Sequence, residues 1–131
     1  MVEHRDINRH LNEHGDGVKI VALWVPDATK AFEETTKRGA KPFQQPQVSE
    51  DSNGKVVTSG IYTYGETVHL FVERNDYNGP FLPGYVARSP KYQQESEGLK
   101  YINNMGGDVD GGRMKRWGKF TRDVIGVSTI V

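Results

Sequence analysis

The stretch "GVKIVALWVPDATKAFEETTKRG", residues 17 to 39, decides the fold. Its first nine residues are rich in β-branched side chains and bounded by Gly17 and Pro26, the pattern of a strand. Side chains alternate along a strand, so Val18, Ile20, Ala22 and Trp24 share one face and Val21, Leu23 and Val25 the other. Both faces therefore want cover. A helix follows over 27 to 39, with Asp27 as N-cap and Gly39 as the residue that ends it after Lys37 and Arg38. Ala28, Ala31, Phe32 and Thr35 form a narrow inward stripe. Glu33 with Lys37, and Glu34 with Arg38, are i,i+4 pairs in the favoured orientation.

Downstream, "KPFQQPQV", residues 41 to 48, reads as extended, and Pro42 and Pro46 direct it to a sheet edge. Asn53-Gly54 marks a hairpin, and strands over 55 to 64 and 66 to 73 meet at Gly65. The order β-α-β-β-β places the chain in the α+β class, with a curved, largely antiparallel sheet and a helix on one face. The other face has no partner within such a unit. Residues 74 to 98 are loop-like, and the aromatics of "PFLPGY" are expected to pack on the sheet. "LKYINNM", 99 to 105, reads as a strand, "RMKRWGKFTRDVIG", 113 to 126, as an amphipathic helix, and "VSTIV", 127 to 131, as a further strand. Met114, Trp117, Phe120, Thr121 and Val124 make the stripe of that helix. The expected organisation is a lead-in over 1 to 14, a complete module over 15 to 75, a linker over 76 to 98, and the incomplete start of a second β-α-β module over 99 to 131.

The 131 residues are enough for one core, and 26% charged with 35% hydrophobic residues suits a soluble globular chain. Seventeen basic and seventeen acidic residues cancel, which removes the electrostatic case for nucleic acid or an anionic membrane. The basic stretch over 112 to 119 reads as a solvated helix face. The chain has no Cys, so disulfide and thiolate chemistry are excluded. The N-terminus is charged and no apolar run approaches a membrane span of about 18 residues. A cytoplasmic protein is the expectation.

Four groups could carry chemistry. His10, Glu13 and His14 fit H-x-x-E-H, a metalloprotease pattern. On a helix the two His lie about 6 Å apart at Cβ, but zinc needs a third protein ligand. Gly15, Asp16 and Gly17 end any helix at once, so His10 and His14 are expected at the surface. His69 sits alone on a strand and is expected to pack or lie at an edge. Glu50, Asp51, Glu66 and Glu73 make no evident acid-base pair, and Glu50 and Asp51 flank the hairpin in solvent. Asp108 and Asp110 in "GGDVDGG" lack the spacing of a calcium loop and read as a flexible connector.

Several stretches together resemble 4-hydroxyphenylpyruvate dioxygenase. "HGDGVKIVALWV", "KRGAKP", "EDSNGKVVTSGIYTYGETVHLFVE" and "YNGPFLPGY" are similar, in order and spacing, to the second half of that enzyme's N-terminal domain. "GLKYINNMGGDVDGGRMKRWGKFTRDVIGV" is similar to the opening of its catalytic domain. The resemblance implies paired β-α-β-β-β modules of the vicinal-oxygen-chelate (glyoxalase-like) type. It also implies an oxidoreductase of tyrosine catabolism, in which Fe(II) held by two His and one Glu converts 4-hydroxyphenylpyruvate and O2 to homogentisate. The family's first iron ligand is the His of an Ile-Asp-His strand, and the matching residues here are Ile102, Asn103 and Asn104. A neutral amide is a poor substitute for imidazole at iron. Gly107-Asp108 replaces the Gly-Asn that usually follows. The resemblance thus predicts a fragment with no catalytic, cofactor-binding or metal-binding residue of its own, and no tightly bound Fe(II). A small-molecule substrate belongs to the full-length family. The other expectation is a non-enzymatic module that pairs with a second copy through its uncovered sheet face.

Overall fold

The computed structural model describes residues 4–89, 95 and 97–128. The elements in chain order are α1 (His4–His14), β1 (Ile20–Trp24), α2 (Ala28–Lys37), β2 (Lys41–Asp51), β3 (Gly54–Tyr62), a 3₁₀ turn (Tyr64–Glu66), β4 (Val68–Glu73), and α3 (Met114–Phe120) running into a wider π turn (Thr121–Ile125). Residues 20 to 73 therefore make the expected β-α-β-β-β unit, and the chain is α+β.

The sheet order is β1-β4-β3-β2. β1 runs parallel to β4, while β3 is antiparallel to both β4 and β2. β2, with its two prolines, is an edge strand as its composition requires. The register aligns Val21 with His69 and Ile61, and Leu23 with Phe71 and Ser59, so these residues share one face. α2 lies on that face. Ala28, Phe32 and Ala40 cluster with Val57, Ile61, Phe71 and Val124, all buried. Burying a side chain such as Phe32 contributes about 1.5–3 kcal/mol.

Both ends of α2 are closed by local chemistry. The Asp27 carboxylate accepts from the Lys30 N–H at 2.8 Å. At the other end Gly39, at φ +101°, turns the chain so that its N–H reaches the Thr36 carbonyl and the Ala40 N–H reaches Thr35. Glu34 and Arg38 pair at 3.0 Å on the exposed side. The N-terminus of α2 is also bolted to the sheet. The Ala28 N–H donates to Glu73 at 3.0 Å, and the buried Ser59 hydroxyl donates to the Ala28 carbonyl at 2.7 Å.

The hairpin forms where Asn53-Gly54 marks it, with Asp51 paired to Gly54 across Ser52 and Asn53. Gly54 does more than relax the turn. At φ +120°, a Cβ placed on it would stand 1.9 Å from the Asp76 carbonyl oxygen. The segment 76 to 78 folds back on the hairpin there, with Asn78 N–H donating to the Asn53 carbonyl at 3.0 Å and Tyr77 buried.

Four expectations are corrected. The segment expected only as a lead-in holds an 11-residue helix, α1, which Gly15 at φ +73° ends after His14. No strand forms over 99 to 105, and Leu99, Tyr101 and Ile102 are 93%, 80% and 78% exposed. A strand needs a neighbour to satisfy its backbone, and among the described residues none lies alongside. Phe81 and Tyr85 do not pack on the sheet; both are mostly exposed and meet each other edge-on at 5.0 Å. The helix over 113 to 126 loses α geometry at Thr121, though Gly126 at φ +88° closes it as expected. The last expected strand lies outside the described residues apart from Val127 and Ser128, which are exposed and not in a strand.

Replacing Gly54 by Ala should cost about 2 kcal/mol or more in urea unfolding, since it adds strain at positive φ to a backbone clash. Gly118→Ala, inside α3 with open space around it, should instead raise stability by up to about 1 kcal/mol.

Candidate functional site

α1 and the β3–β4 connection meet at a polar cluster. Helical spacing puts His10 and His14 on one side of α1, and their rings lie 4.7 Å apart. His10 is not a surface residue, as the sequence suggests, but only 7% exposed, with the Lys19 ammonium 3.4 Å from its Nδ1. Burial, then Lys19 and then His14 hold its imidazole below the ordinary pKa, so it is neutral at pH 7. The His14 Nε2 is 3.3 Å from a Glu66 carboxylate oxygen and 3.9 Å from Glu13. The bond to His14, assisted by Arg9 and Lys19, keeps the Glu66 carboxyl low and ionised. Glu66 reaches this point because the 3₁₀ turn bends sharply, with Gly65 and Glu66 both at positive φ.

A second feature is a cavity of about 630 Å³ between the sheet and the C-terminal segment. Val21, Leu23 and His69 line it from the sheet, and Tyr64, Trp117 and Ile125 close its sides. The His69 Nδ1 is buried without a hydrogen-bond partner, and burial lowers the pKa of its ring. His69 is thus a packed strand histidine. The cavity wall is mostly apolar, and Asp108 and Asp110 stand along it, with Asp110 paired to Arg113 at 3.3 Å.

The remaining sequence candidates have structural work. Asp51 accepts from the Asn53 N–H at 2.8 Å and the Gly84 N–H at 3.1 Å, which holds its carboxyl low and ties the 81–85 segment to the hairpin. Glu73 holds the start of α2. Glu50 is exposed. In the basic stretch, Arg113 pairs with Asp110, Lys119 with Asp123, and Arg116 stacks over Trp117, the behaviour of a solvated helix face. Asn104 lies in an exposed segment without regular structure. Among the described residues, the group that brings three metal-type donors together is Glu13, His14 and Glu66, on other elements than Asn104. Sequence reasoning found His10, Glu13 and His14 but not Glu66 as their companion. The two are 52 positions apart, and nothing local links them.

The fold defines a β-α-β-β-β module, and the sequence comparisons place it among known proteins. The chain is similar to the 4-hydroxyphenylpyruvate dioxygenase of Aspergillus fumigatus, 51% identical over 81 residues, covering 62% of this chain and 20% of that protein. It is 45% identical over 87 residues to the enzyme of that name from Tetrahymena thermophila, covering 66% of this chain and 22% of the relative. Against the Yarrowia lipolytica protein of that name the match extends over 126 residues at 33% identity, 92% of this chain and 32% of the relative. The chain thus resembles a part of 4-hydroxyphenylpyruvate dioxygenase, and it spans a fifth to a third of the length of these relatives. A solved 4-hydroxymandelate synthase mutant from Streptomyces coelicolor is similar with a TM-score of 0.49 and 20% identity, over 56% of this chain and 21% of that one. No family profile matches the chain.

His10 and His69 predict a pH dependence. Each has a folded pKa below that of the unfolded imidazole, so the unfolded chain takes up protons first. Their contribution to stability is complete above about pH 6.5 and is lost as the pH falls from there through their folded values. The depressed carboxylates Asp51, Glu66 and Asp123 act in a lower window, below the ordinary carboxylate pKa. His69→Leu should flatten the slope of unfolding free energy between about pH 7 and 5 while leaving the acid limb in place.

Proposed function

We propose that this chain is a scaffold piece related to 4-hydroxyphenylpyruvate dioxygenase and does not catalyse that reaction alone. The observation that carries the reading is the match over 92% of the chain, read together with an asparagine at the position of the family's first iron ligand. The resemblance implies an Fe(II) site of two His and one Glu with open positions for the 2-oxo acid and O2. The residues present do not fit that group. Asn104 is exposed in an irregular segment, where an amide oxygen has neither the softness nor the fixed direction of an imidazole ligand. No step of the reaction is therefore assigned to this chain. The well-matched module over residues 20 to 73 contributes a rigid sheet and helix to whatever it joins. A small-molecule substrate belongs to the complete enzyme; nucleic acid and membrane partners are not part of the proposal, in line with the balanced charge. No described helix is long and apolar enough to cross a membrane. A cytoplasmic location and an ancestral role in tyrosine catabolism belong to this proposal. The chain incubated with Fe(II), ascorbate, O2 and 4-hydroxyphenylpyruvate should form no homogentisate by chromatography. Homogentisate formed in step with a stoichiometric bound iron is the result that sinks the proposal.

A second reading follows from the sheet face opposite α2. Ala22 and Trp24 of β1 are exposed there, Trp24 at 74%, and Leu70 and Val72 of β4 are only half-buried. This face is suited to a second copy of the chain, because a self-complementary face closes by two-fold symmetry. Light scattering should then report a dimer, and Trp24→Glu should return it to a monomer; a wild-type monomer at about 100 μM excludes it.

A further inference from the structure

Beyond the dioxygenase resemblance, we propose that Glu13, His14 and Glu66, with His10 beside them, form a binding site for a divalent transition-metal ion of the Zn(II) type. The donor set is mixed, one imidazole and two carboxylates, with a second imidazole one helical turn away. Such nitrogen and oxygen donors suit zinc and its neighbours better than calcium or magnesium, which prefer oxygen alone.

The spacing agrees with the chemistry. Zinc bonds of about 2.0–2.2 Å place tetrahedral ligand atoms about 3.4 Å apart. The His14 Nε2 stands 3.3 Å from Glu66 and 3.9 Å from Glu13, and the three donor atoms all lie within 4.8 Å of one another. An ion seated among them replaces the His14–Glu66 hydrogen bond with two coordinate bonds and needs little movement of the backbone. His10 supplies the second observation. It is more than nine-tenths buried, and its ring lies 4.7 Å from that of His14. Packed there it fixes the His14 ring, and it can ligate only if Lys19 swings from its Nδ1, 3.4 Å away. Arg9 and Lys19 carry positive charge close to Glu66, which opposes a cation and sets the affinity at a moderate level. The site also has a structural consequence. Its ligands come from α1 and from the β3–β4 connection, so the ion staples the helix to the sheet.

Chelator-treated chain titrated with Zn(II) in a calorimeter should bind one ion with a dissociation constant in the micromolar range. Co(II) in its place should give the visible absorption of a low-coordinate nitrogen–oxygen site. His14→Ala and Glu66→Gln should each weaken binding by about tenfold or more, while Glu50→Gln, at an exposed carboxylate elsewhere, leaves it unchanged. Glu66→Gln is isosteric and exposed, so the loss it causes cannot be ascribed to unfolding. Zn(II) should also raise the melting temperature of the unaltered chain, and not that of Glu66→Gln. Absence of saturable binding up to about 1 mM Zn(II), or equal binding by the two site variants, overturns the proposal. These readouts are independent of homogentisate formation, so failure of the dioxygenase reading leaves them unaffected.

Discussion

The structure depends on how α2 is held against the strands it faces. Phe32 is buried in one cluster with Ile61 and Phe71, and the peptide at Ala28 is gripped on both sides, its N–H by Glu73 and its carbonyl by Ser59. A helix N-terminus has unpaired N–H groups, and burying that end is tolerated only when each finds an acceptor. Glu73 and Asp27 supply two of them, so the helix can sit close enough for the apolar stripe to seal. Once α2 is placed, β3 and β4 become the centre of the sheet and β1 and β2 its edges.

That arrangement also explains the two polar features. The face under α2 continues past its C-terminal end, and the π turn fills part of it with Val124 while Arg38 reaches the Val124 carbonyl. The remaining space is the cavity that leaves the His69 Nδ1 without a partner. At the start of β4 the same sheet geometry forces a tight connection from β3. There Glu66 is turned outward, with Thr63 N–H bonded to the Thr67 carbonyl across the bend, and it meets His14. One architecture thus creates a mostly apolar pocket beside the sheet and a polar cluster at the β3–β4 bend.

The functional reading rests on a contrast between these places. Of the segment that corresponds by resemblance to the start of a catalytic domain, residues 99 to 110, with Asn104 among them, have no helix or strand, and regular structure begins only at α3. The scaffold module, by comparison, is fully formed and keeps its capping and turn residues. Sequence similarity to 4-hydroxyphenylpyruvate dioxygenase at 45% and 51% identity covers about two thirds of the chain.

The sequence by itself determined the β-α-β-β-β order, the two ends of α2 at Asp27 and Gly39, and the hairpin at Asn53-Gly54. These are local matters: side-chain periodicity, a cap and a turn act over a few residues and leave their mark in composition. It also showed His10, Glu13 and His14 as a group of potential ligands. Only the tertiary structure decided that α1 forms to its last residue, that His10 is buried, and that Glu66 completes the cluster. The same holds for Gly54, whose need for a missing Cβ comes from Asp76, and for 99 to 105, whose strand pattern finds no neighbour to pair with. Each of these depends on which distant segment arrives alongside, and a strand or a ligand set is incomplete until its partner does.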